Sequence, residues 1–190
     1  RELLEEMKSD SRSPAPLSKL KVGMKCGGSD AFSGITANVL IGKFADELTA
    51  RGGSCALCEV PEMFGAETLL MNRAKSRAVF DEIVDMINSF KNYFVSNGMP
   101  VYENPSPGNK AGGISTLEEK SLGCVQKGGT GAVNDVVRYG GRLECAGLTL
   151  LESPGNDPVA ATALASAGCQ IILFSTGRGT PFSSIVPTLK

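Results

Sequence analysis

The feature that most constrains the fold is a strand–loop–helix–strand run over residues 20–60. Leu20, Val22 and Met24 alternate as in a strand. The loop Gly27-Gly28-Ser29-Asp30-Ala31-Phe32-Ser33-Gly34 follows. Leu40, Phe44 and Leu48 then recur at helical spacing up to Arg51, and Gly52-Gly53 stops that helix. Residues 54–60 read as a second strand. A strand, a helical crossover and a second strand pack back on each other as a parallel pair. The predicted class is therefore α/β, an open, mostly parallel, Rossmann-like sheet with helices on both faces.

The rest of the chain extends that pattern. Residues 1–19 are charged and then Ser/Pro-rich, a helix remnant followed by a linker. Val79, Ile83, Ile87, Phe90 and Phe94 mark one apolar helical stripe, ended by Asn97-Gly98 and read as core. Residues 103–116 are rich in glycine and proline, a short helix is expected over Leu117–Val125, and residues 127–146 carry no clear period. Leu148–Leu151 and Cys169–Phe174 read as strands around a helix that starts at Pro158, with Asp157 as its cap, and ends at Gly168. Residues 20–190 are expected to form one α/β domain, cut at its C-terminus, because the chain stops after a loop-like stretch and opens on Arg1.

The 190 residues include no histidine, so the chain alone cannot build a Ser-His-Asp or Cys-His triad. Its chemistry must come from carboxylates, lysines, thiols, hydroxyls or backbone amides. A net charge of -1 lacks the basic face that nucleic acid requires. No apolar run reaches the roughly 18 residues of a membrane span, and no secretory signal opens the chain. The 6 cysteines mostly sit in apolar surroundings and read as small core hydrophobes in a reducing cytoplasm. Cys55 and Cys58 form a CxxC, but within a buried-strand pattern.

In an open parallel sheet, ligands collect where strands end and helices begin. The loops at 26–34, 59–67, 153–157 and 175–180 fit that position, and their glycines let amides approach an anion. Ser29, Asp30 and Ser33 either face a ligand or merely cap the next helix. Glu59, Glu62 and Glu67 are possible cation ligands; Glu67 serves equally as a first-turn carboxylate. Arg178, between two glycines, either clamps a carboxylate bidentately or is a solvent-facing turn residue. Lys110 and Lys120 lie beside glycine-rich loops. A nucleotide- or phosphate-binding module would rest on the glycine loops alone, and no loop carries a Walker A or dinucleotide fingerprint.

Together these segments resemble the altronate/galactarate dehydratase family. The resemblance lies in Lys25-Cys26-Gly27-Gly28-Ser29-Asp30-Ala31-Phe32-Ser33-Gly34, Glu59-Val60-Pro61-Glu62-Met63-Phe64-Gly65-Ala66-Glu67 and Asn104-Pro105-Ser106-Pro107-Gly108-Asn109-Lys110-Ala111-Gly112-Gly113. It continues in Leu117-Glu118-Glu119-Lys120-Ser121-Leu122-Gly123, Pro154-Gly155-Asn156-Asp157 and Thr176-Gly177-Arg178-Gly179. It covers about Leu17 to Lys190, the family's main catalytic part. The resemblance implies loss of water from a hexonate or hexarate to give a 2-keto-3-deoxy acid, with a divalent metal, iron(II) or manganese(II). It also implies a small N-terminal domain bearing a histidine, in cis or as a separate subunit. Sulfolactate sulfo-lyases belong to the same family and offer an alternative reaction.

On this reading Glu59 and Glu62, with Cys26 or Asp30, form the metal region. Ser29, Asp30, Ser33, Asn104, Ser106, Asn109, Asp157, Thr176 and Arg178 are the candidates for holding the sugar acid. Lys110 or Lys120 is base or electrophile, with a pKa lowered by burial or by the metal. A homodimer is expected. An isolated piece could instead be a non-catalytic acid-binding or dimerisation core.

Overall fold

The computed structural model describes residues 1–190. Six strands form one sheet: β1 (Lys21–Cys26), β2 (Ser54–Leu57), β3 (Val133–Val137), β4 (Gly147–Leu151), β5 (Ile171–Ser175) and β6 (Thr188–Leu189). Their spatial order is β3-β4-β2-β1-β5-β6, and every pairing is parallel. The helices are α1 (Glu2–Glu6), α2 (Ala31–Ile35), α3 (Ala37–Ala50), α4 (Glu67–Met71), α5 (Arg77–Ser96), α6 (Pro107–Ala111), α7 (Leu117–Val125) and α8 (Asp157–Ser166).

Alternation along the central strands sends side chains to both faces. Val22, Met24, Cys55, Leu57, Leu148 and Leu150 join Leu48 of α3 and Ile83, Ile87 and Phe90 of α5 in one core layer. Ala56, Leu151, Ile172 and Phe174 pack against Ala160, Ala163 and Leu164 of α8 in the other. Helices thus cover both faces, as the strand–helix alternation predicts. The 20-residue α5 is capped by Ser76, whose hydroxyl accepts a hydrogen bond from the Val79 amide. No helix is long and apolar enough to cross a membrane.

Four local expectations are corrected. Leu40 and Phe44 of α3 are exposed, and its buried side is Asn38, Gly42, Ala45 and Leu48. Small residues there let the 3-10 turn Gln126–Gly128 approach closely. The second strand ends at Leu57, because Glu59 turns left-handed (φ 70) into a 3-10 turn over Val60–Glu62. Asn156, not Asp157, stands at the N-cap of α8, while Asp157 lies in its first turn and its carboxylate bonds Lys25. The unpatterned stretch 127–146 contains edge strand β3, buried at Val133 and Val137 and half-buried between them.

Candidate active site

The carboxyl ends of β1, β2 and β4 converge on a buried ionic cluster. Parallel register aligns Met24 with Leu57, so the next residues of each strand, Lys25–Cys26 and Cys58–Glu59, emerge side by side. Lys25 Nζ is 3.0 Å from Glu59 Oε1 and 2.6 Å from Asp157 Oδ1, bonds the Cys26 carbonyl at 2.9 Å, and lies 4.6 Å from the centre of the Phe174 ring. Burial alone would lower its pKa; Glu59 and Asp157 outweigh that and raise it. Glu59 accepts a hydrogen bond from the Cys26 amide at 2.9 Å, while its own amide donates to Ser153 Oγ at 3.1 Å. A left-handed backbone costs a non-glycine residue about 1–2 kcal/mol. Here it turns the Glu59 carboxylate back across β1.

A second cluster adjoins the first. The Cys26 thiol donates to Glu62 Oε2 at 2.7 Å and lies 3.6 Å from the thiol of Cys124, brought in by α7. Ser29 Oγ donates to Cys26 Sγ at 3.1 Å. Lys120 Nζ is 3.1 Å from Glu62 Oε1 and also donates to Asn104 Oδ1 and Asn109 Oδ1 at 2.9 and 3.0 Å. Lys127 Nζ, on the 3-10 turn after α7, is buried without a hydrogen-bond partner and lies 4.0 Å from Glu62. Burial opposes ionisation of Glu62, but Lys120 and Lys127 prevail and hold it at about 2. A hydrogen bond from Cys124 lowers Cys26 to about 7. Lys120 is raised: Glu62 and the thiols outweigh its desolvation. The expected lowered lysine pKa is thereby corrected for Lys120, because its neighbours are anions that favour the ammonium.

The remaining candidates fall at the same end of the sheet. Asp30 and Ser33 are engaged in a reciprocal capping box on α2, and Ser106 and Asn109 form another on α6. Asn109 also donates to the Ser29 carbonyl at 2.9 Å, tying the two loops together. Thr176 is half-buried on the loop after β5. The Arg178 side chain is exposed and crosses the start of α6, its guanidinium lying over Gly108 where a Cβ would stand 2.6 Å from it. Lys110 is exposed on α6, away from Glu62, and lines a cleft of about 620 Å³ with Asn104 and Ser106. A second cleft, about 560 Å³, is lined by Ser29, Asp30, Lys120 and Cys124 together with Ile35, Val39 and Leu122.

Cys26, Glu62, Lys120, Asn104, Asn109 and Ser29 are thus one hydrogen-bonded group. Lys25, Cys124 and Lys127 belong to these clusters and were not singled out in the sequence. A lysine between Met24 and Cys26 in an otherwise apolar strand was a signal for the first. Cys124 follows the Leu117–Gly123 motif and lies four residues after Lys120 on the expected helix, a signal masked by reading the cysteines as core hydrophobes; Lys127 had none.

Cys26, Glu62 and Cys124 each offer a ligand atom, all within 4.8 Å of one another and all buried. Two thiols and a carboxylate suit a divalent ion. The buried Lys127 ammonium beside them marks the pocket as one built for negative charge. Glu59 stands outside this triad, bound to Lys25 and the Cys26 amide.

A parallel α/β sheet with a buried thiol–carboxylate–lysine centre beneath its carboxyl-end loops is an enzyme-like scaffold. The chain belongs to the D-galactarate/altronate dehydratase family: the family model for the C-terminal region, "D-galactarate/Altronate dehydratase, C-terminal", matches residues 17–190. It is 65% identical to an altronate dehydratase of Bacillus subtilis (strain 168) and 59% identical to one of Escherichia coli (strain K12), over 100% of this chain and 38% of each relative. A galactarate dehydratase (L-threo-forming) of Escherichia coli (strain K12) is 38% identical over 98% of the chain and 36% of its own length. The chain therefore spans well under half the length of these curated relatives.

Proposed function

We propose that this chain supplies most of the active site of a hydro-lyase that removes water from altronate or a closely related sugar acid, giving a 2-keto-3-deoxy acid. The observation that carries the reading is the hydrogen-bonded Glu62–Cys26–Cys124–Lys120 centre, of which Lys120 and Cys124 line a cleft shared with Ser29, Asp30 and Thr116. Identity to altronate dehydratases exceeds that to the galactarate enzyme, which favours the hexonate.

The chemical problem is removal of a proton beside a carboxylate, which creates a dianionic enediolate. Fixed positive groups stabilise such charge by several kcal/mol each. Lys120, held as an ammonium by Glu62, faces the cleft and is suited to that charge or to protonating the departing hydroxyl. Arg178 is suited to a bidentate grip on the substrate carboxylate. Ser29, Ser106 and Thr176 offer hydroxyls to the sugar chain, and Asp30, Ser33 and Asn109 keep the loops in place. Asp157 serves through Lys25, whose ion pair orients Glu59. Cys26, Glu62 and Cys124 would hold a divalent metal, iron(II) or manganese(II), which polarises substrate oxygens when bound.

A histidine from a further domain, in cis or in trans, completes the proposed site and serves in metal binding or proton transfer. A cytoplasmic setting accords with six free thiols. The test is an assay of the longer enzyme, supplied with iron(II) or manganese(II), against hexonates, hexarates and sulfolactate. Keto-acid from altronate supports the reading; turnover of sulfolactate alone, with release of sulfite, would replace it.

A further inference from the structure

We propose that Asn109 is the positioning residue for Lys120: its side-chain amide fixes the lysine ammonium in the cleft and ties it to the glycine-rich loop after β1, without touching the sugar acid. The inference deepens the dehydratase reading above, in which Lys120 faces the reacting groups, and rests on it.

A lysine amine sits on a long flexible stem, so its partners must fix its place. The Lys120 ammonium meets three oxygen acceptors: Glu62 Oε1 at 3.1 Å, Asn104 Oδ1 at 2.9 Å and Asn109 Oδ1 at 3.0 Å. The two amides differ in surroundings. Asn104 is half-buried and lines the cleft that holds Lys110. Asn109 is 4% exposed and lines neither cleft. Both ends of its amide are engaged inside the protein. Its oxygen also accepts from the Ser106 amide at 3.0 Å and the Ser106 hydroxyl at 2.8 Å, and its amino group donates to the Ser29 carbonyl at 2.9 Å.

The residue type fits that double task. The capping box on α6 uses the side-chain oxygen and the backbone amide of Asn109, and leaves the amino group for Ser29, 80 residues away in sequence. An aspartate would still accept from Lys120 but could not donate to the Ser29 carbonyl, and an alanine would do neither. Asn109 thus sets Lys120 on α7 against the loop that carries Ser29 and Asp30. Displacing a reacting group by about 1 Å can cost about a hundredfold in rate. The loss from removing Asn109 therefore falls on kcat and not on KM.

Nuclear magnetic resonance of the isotope-labelled 190-residue chain reads the hold directly. The Lys120 ammonium signal, identified by its absence from Lys120→Met, is expected to exchange with water more than about tenfold faster in Asn109→Ala. The signal of Lys25, held by Glu59, Asp157 and the Cys26 carbonyl, is expected to be unchanged, which separates this effect from general loosening of the fold. In the longer enzyme, Asn109→Ala is expected to lower kcat more than about thirtyfold with KM within about threefold, and Asn109→Asp to recover about tenfold of that loss. A Lys120 signal indifferent to Asn109→Ala overturns the proposal, as does a KM raised about tenfold at unchanged kcat, which would make Asn109 a sugar contact. Where the alanine variant does not fold, Asn109→Asp decides: it is expected to keep the Lys120 signal, and loss of that signal beside an intact Lys25 signal overturns the proposal. Dehydration by the longer enzyme with Lys120 indifferent to Asn109 removes this inference and leaves the dehydratase reading standing. A Lys120 signal that depends on Asn109, with no dehydration of any acid, does the reverse.

Discussion

Lys25 and Glu59 meet as an ion pair of 3.0 Å between side chains 0% and 1% exposed, on adjacent parallel strands. Removing one member of a buried pair leaves the other charge uncompensated, at a cost of about 3–5 kcal/mol. Lys25→Met is expected to lose that much in urea unfolding. Adding Glu59→Gln is expected to recover part of the loss, giving a coupling in the double-mutant cycle. Additive effects would show that the two groups act independently.

Lys120 and Lys110 differ in surroundings more than in sequence. Lys120 is buried on Glu62, whereas Lys110 is exposed on α6. In the longer enzyme, Lys120→Met and Glu62→Gln are each expected to lower turnover by more than about a hundredfold, against less than about threefold for Lys110→Met. Comparable losses for both lysines in kcat would reject Lys120 as the group facing the reaction.

Gly42 of α3 lies under the turn that carries Lys127, and a Cβ there would overlap the Gln126 carbonyl and stand 3.1 Å from the Gly129 nitrogen. Gly42→Ala is expected to destabilise the fold by about 1–3 kcal/mol through forced separation of the two segments. A neutral or stabilising result in thermal unfolding would contradict so close an approach.

Asp46 pins the loop after Lys127 to α3, accepting hydrogen bonds from the Thr130 amide and hydroxyl at 2.8 and 2.9 Å and from the Gly131 amide at 3.1 Å. Burial opposes its ionisation, but the bonds from Thr130 and Gly131 prevail and hold its pKa below the ordinary 3.8. A depressed carboxylate stabilises the fold above its unfolded pKa and loses that contribution as pH falls through the folded value. Asp46→Asn is therefore expected to be less stable than the parent near neutrality, with the gap closing below pH 3.8. Urea midpoints measured across that range check the sign; a gap that widens in acid refutes it.

The sequence alone determined the class of this protein, because its signals are local. Alternation in β1, the glycine stop before β2 and the long stripe of α5 each arise within a dozen or so neighbours, and together they impose a parallel α/β sheet. The ordered motifs also placed Cys26, Glu62, Lys120 and Asn109 in one neighbourhood. Local signals misread Leu40 and Phe44, since helical spacing is the same for a stripe facing the sheet and one facing solvent. They also left Asp157 as a cap, because its partner Lys25 is 132 residues away. Only the tertiary structure decided the strand order, which inserts β4 beside β2 and sets β5 against β1. That order, with the docking of α7 and the turn behind it, brought Cys124 to Cys26 and buried Lys127 beside Glu62. Contacts of this kind depend on packing between distant segments, and neither residue type nor spacing encodes them.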